Sequence, residues 1–73
     1  MNVEQLIFQR QDALKKLSDA QDTRSAKLFA WSQHKTPETL EEFKQADATY
    51  ERSGEALREV ERRLADARRE MVT

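Results

Sequence analysis

The chain has 73 residues, 37% of them charged, with 13 Lys and Arg against 14 Asp and Glu and no cysteine. A chain this short makes at most one domain with a thin core, and its charge balance excludes a polybasic surface built to neutralise many phosphates. The lack of cysteine excludes disulfides, thiol nucleophiles and cysteine-based zinc sites.

One glycine and one proline leave nearly every position to a good helix former, so the composition predicts long amphipathic helices. The first twelve residues, MNVEQLIFQRQD, hold only a three-residue apolar run. That is too short for the core of a secretory signal, and no stretch approaches a membrane span, which predicts a soluble, cytoplasmic chain with no membrane contact. Asn2 followed by Gln5 is a helix-start pattern, the first side chain accepting from an orphan amide and the second able to reach back, so a helix begins near Val3. It carries Val3, Ile7, Leu14, Leu17, Leu28 and Trp31 on a rhythm of three and four, with Arg10, Gln21 and Arg24 at intervening positions.

Thr36-Pro37-Glu38 is a second start signal: a hydroxyl at the cap, a proline where its missing N–H does no harm, and an acid facing the helix dipole. Pro37 also drives Thr36 out of the α region. The first helix therefore covers about 3–34, a turn sits at 35–36, and a second helix covers about 37–72. This second helix places Phe43, Ala46, Tyr50, Ser53, Leu57, Val60, Leu64, Ala67 and Met71 alternately three and four apart, a heptad row sustained for about four heptads. Gly54 in its middle reads as a site of close helix approach or as a tolerated weak spot.

Two helices of roughly 50 Å joined by so short a connection must run antiparallel. The expected fold is therefore all-α: one domain, 1–73, an antiparallel two-helix hairpin with coiled-coil character, dimerising into a four-helix arrangement. Folding at 35–36 brings Arg10 level with Glu61 and Arg24 level with Asp47, while Ile7 meets Leu64 and Leu14 meets Leu57. Charges and apolar groups thus pair in one register. The alternative is that the arginines lay their stems along the edge and keep their heads in water.

Little in the chain points to catalysis. His34 stands near the turn with Glu38 and Glu41 beyond it, without a third firm ligand, and fits a helix-end histidine better than a metal site. The carboxylates of the second helix are interleaved with bases at i,i+3 and i,i+4, which describes a solvated face. No enzyme activity and no cofactor are expected. Arg58, Arg62 and Arg69 share one stripe and give an alternative reading as a nucleic-acid-associated regulator. Against it, acids at a helix start and bases at its end complement the macrodipole, and no aromatic residue interleaves the stripe to stack a base.

The aromatic residues are the more informative feature. Phe8 lies roughly opposite the expected inner row of the first helix, and Phe29 is turned well away from it. With Trp31 and His34 near the turn, these are the candidate partner-binding residues, because one partner helix cannot cover so many apolar faces. The expected function is non-enzymatic protein binding, as a small adaptor, chaperone or inhibitor that uses helix faces and an aromatic tip, with a homodimer as its expected form. In architecture, though by no shared motif, such a hairpin resembles the small helical-hairpin chaperones of bacterial secretion systems and small phage-encoded inhibitors.

Overall fold

The computed structural model describes residues 2–72 and contains two helices, α1 (Val3–Gln33) and α2 (Pro37–Val72), packed along their length as a hairpin of 56 × 14 × 13 Å. α1 starts at an extended Asn2, whose side-chain oxygen accepts from the Gln5 N–H at 2.8 Å. This satisfies one of the amides a helix start leaves orphaned.

The turn is built more tightly than Thr36 and Pro37 alone require. His34 leaves the helix in an extended conformation while its N–H still reaches the Ala30 carbonyl at 3.0 Å. Thr36 caps α2 by accepting from the Thr39 N–H at 3.2 Å, and the Thr39 hydroxyl accepts in turn from the Thr36 N–H at 3.1 Å. That is a reciprocal capping box with threonine in the place usually taken by Glu or Gln. The same Thr39 hydroxyl donates to the His34 carbonyl, so one side chain ties the end of α1 to the start of α2.

The inner row of α2 is the expected heptad row as far as Ala67: Ala46, Leu57 and Leu64 are buried, and Phe43, Tyr50, Ser53, Val60 and Ala67 are half-buried. Met71, at the far end of that row, is exposed. The inner row of α1 differs from the expected one. Leu6, Ala13 and Ala20 are its buried residues, and Val3, Arg10, Leu17, Arg24, Lys27 and Trp31 complete a 3–4 row between them. Ile7, Leu14 and Leu28 are 38–42% exposed on the flank of this row, and Gln21 is exposed beside them.

The physical reason lies in residue size. Ala13 shares a groove with Ser53, Ala56 and Val60, and Ala20 one with Ala46 and Ser53, so mostly small side chains meet along this side of the hairpin and the larger Ile7 and Leu14 lie on the flank. Ile7 nonetheless shares a groove with Leu64, the residue expected at its level. Among the described residues, half of the six buried side chains are alanine, and the core is correspondingly thin. Gly54 is not a point of close approach, since a methyl group built there would meet nothing within 4 Å.

Candidate protein-binding surface

Polar side chains in the inner row of α1 pair with α2 across the hairpin. Arg24 Nε lies 2.6 Å from Asp47 Oδ1, and its guanidinium stands 5.5 Å from the ring centroids of both Phe43 and Tyr50. The charge is thus paired on one side and lodged against two aromatic faces, with both partners 38% exposed. Arg10 Nε and Glu61 Oε2 are 3.9 Å apart, a looser pair at the wetter end of the molecule. On the opposite flank Lys27 Nζ reaches Glu42 Oε2 at 3.4 Å. This third inter-helix pair was not anticipated, because it depends on Lys27 belonging to the inner row.

At the tip, Trp31 is half-buried and Lys35 Nζ sits 5.4 Å from its ring centroid. Phe29 is 65% exposed and His34 is exposed. Two residues along a helix is more than half a turn around it, so Phe29 and Trp31 face different sides and do not form one continuous tip patch. Trp31 and Phe43 both lie along the inner rows and close the end of the core. Phe29 belongs instead to the outer face of α1, as does Phe8, which is 69% exposed.

The arginine stripe of α2 is largely engaged by its own helix. Arg62 contacts both carboxylate oxygens of Glu59 at 2.7 Å, Arg63 reaches the same carboxylate at 3.1 Å, and Arg69 approaches Asp66 at 3.6 Å. The hydrogen bond from Arg62 holds the Glu59 carboxyl below its ordinary range, and the same bond raises the Arg62 guanidinium above its own. Of the three stripe residues only Arg58 is without an ion pair among the described residues. No group of three His, Cys, Asp or Glu side chains among the described residues is placed to hold a metal ion, and no described helix is long and apolar enough to cross a membrane.

The feature that stands apart is the outer face of α1. Ile7, Leu14 and Leu28 extend the inner row on one flank, and Phe8 and Phe29 lie further round, all left open by α2. No protein-family model matches the chain, and no curated protein or solved structure is detectably similar to it.

Proposed function

We propose that this chain is a non-enzymatic protein-binding module, a small adaptor, chaperone or inhibitor, and that it binds through the outer face of α1. The observation that carries this reading is the exposure of Ile7, Phe8, Leu14, Leu28 and Phe29 on the side of α1 that α2 leaves open. A two-helix hairpin offers shallow grooves and long faces, which suits the laying of one helix against another. The hairpin has few buried apolar side chains of its own, so covering this face would also stabilise the fold. Self-association into a four-helix arrangement is the simplest form of such binding.

A photo-crosslinking residue placed on α1 at Ser18 or Ser25, compared with one on the outer side of α2 at Ala48 or Glu55, tests this in the native cell. The expected result is protein crosslinks from α1 and few from α2. Crosslinks confined to α2, or to nucleic acid, would overturn it.

A further inference from the structure

Rotated about α1 from its inner row, a second row with the same alternation of three and four runs Ile7, Gln11, Leu14, Ser18, Gln21, Ser25, Leu28, Ser32. Every one of these residues is exposed, and none is charged in a chain that is 37% charged. The adjoining outer row is Phe8, Lys15, Asp22 and Phe29, one heptad apart and also exposed. Its order is symmetric: an aromatic at each end, a cation and an anion between. Laid antiparallel against a copy of itself about a two-fold axis near Ser18, this row sets Phe8 against Phe29 and Lys15 against Asp22, twice over. Ile7 then comes level with Leu28, and the small Ser18 residues meet near the axis, where little bulk holds the backbones apart.

We infer that the outer face of α1 is the interface of a homodimer in which the two α1 helices pack antiparallel, with Phe8 on Phe29 and Lys15 on Asp22 of the second copy. This rests on the protein-binding reading above and names the occupant. Three observations fit a second copy. Within its own chain neither Lys15 nor Asp22 has an ion-pair partner among the described residues, whereas the neighbouring Asp12 and Lys16 are paired at 3.0 Å. Their charges complement each other only in the antiparallel direction; a parallel pair sets Lys15 on Lys15 and Asp22 on Asp22. The exposed area also has the right size. The hairpin exposes 5724 Å², about 1,000 Å² more than the ~4,700 Å² expected of a compact protein of 8.6 kDa, and a standard interface covers about 800 Å² per partner.

Charge reversal with mixing tests the pairing, read by sedimentation equilibrium with helicity followed by circular dichroism. Lys15→Glu and Asp22→Lys are each expected to weaken the wild-type dimer by about tenfold, and an equimolar mixture of the two variants is expected to recover it as a heterodimer. Direction is read by oxidation in a chain that has no native cysteine. Gln11→Cys and Ser25→Cys should crosslink to each other and not to themselves, and Ser18→Cys should crosslink to itself. Self-crosslinking of Gln11→Cys would show parallel packing and overturn the inference, as would reversals that leave dimerisation unchanged. A wild-type chain that stays monomeric at high micromolar concentration would also overturn it. The broader protein-binding reading would survive that last result, because it fails only on its own crosslinking comparison.

Discussion

Arg24 shows how a charged residue can serve the interior of so narrow a molecule. Its head is paired with Asp47 and its plane lies against Phe43 and Tyr50, so the stem fills space that an aliphatic residue would otherwise occupy. Because both partners are more than a third exposed, solvent screens the pair, and a double-mutant cycle between Arg24→Ala and Asp47→Ala should give a coupling of only about 0.5 kcal/mol. Arg24→Ala alone should cost more, since it also loses the ring contacts, worth about 0.5–1 kcal/mol. Gly54 gives the opposite expectation. With open space around its missing methyl group, Gly54→Ala should stabilise the hairpin by about 1 kcal/mol, read as a rise in thermal midpoint. Glu59 supplies a titration test. Its lowered carboxyl contributes stability above the ordinary carboxylate range that is lost as pH falls through the lowered midpoint, and Arg62→Ala should move that midpoint back up in an NMR titration.

At the scale of the elements, the two helices were unequally legible. The α2 row could be read directly because its large residues, Phe43, Tyr50, Leu57 and Leu64, are the ones it turns inward. α1 has two candidate 3–4 rows that share Val3, Arg10, Leu17, Arg24 and Trp31 and differ in setting Ile7, Leu14, Gln21 and Leu28 or Leu6, Ala13, Ala20 and Lys27 between them, and the first set holds the larger apolar side chains. Size therefore pointed to Ile7 and Leu14, whereas the structure buries Leu6, Ala13 and Ala20 and leaves Ile7 and Leu14 on the flank. The inter-helix charges escaped this ambiguity, because opposite charges level across a hairpin need only the position of the turn. The turn was legible through Thr36 and Pro37, but the part played by Thr39 was not, since threonine is a rare third-position capping partner. Thr39→Ala removes both the return bond to the Thr36 N–H and the tie to the His34 carbonyl. It should cost about 1 kcal/mol in denaturant unfolding, whereas Glu38→Ala, one position earlier, should cost a few tenths.

For the whole molecule, α1 is a helix with two seams, one closed by α2 and one open. A hairpin with six buried apolar side chains among its described residues, half of them alanine, has little of its own to set against the entropy of ordering its residues. Covering the second seam would supply the missing burial, and Phe8 and Phe29, costly to leave in water, would become its anchors. Stability should then depend on protein concentration, with the thermal midpoint rising as the chain is concentrated. Phe8→Glu and Phe29→Glu should each remove that dependence while leaving the helices formed at high protein concentration. The most direct measurement is the mass of the wild-type chain by sedimentation equilibrium across the micromolar range. The account predicts convergence on twice 8.6 kDa, with Phe8→Glu holding the mass at 8.6 kDa. A wild-type mass of 8.6 kDa at every concentration, with helicity intact, would contradict it.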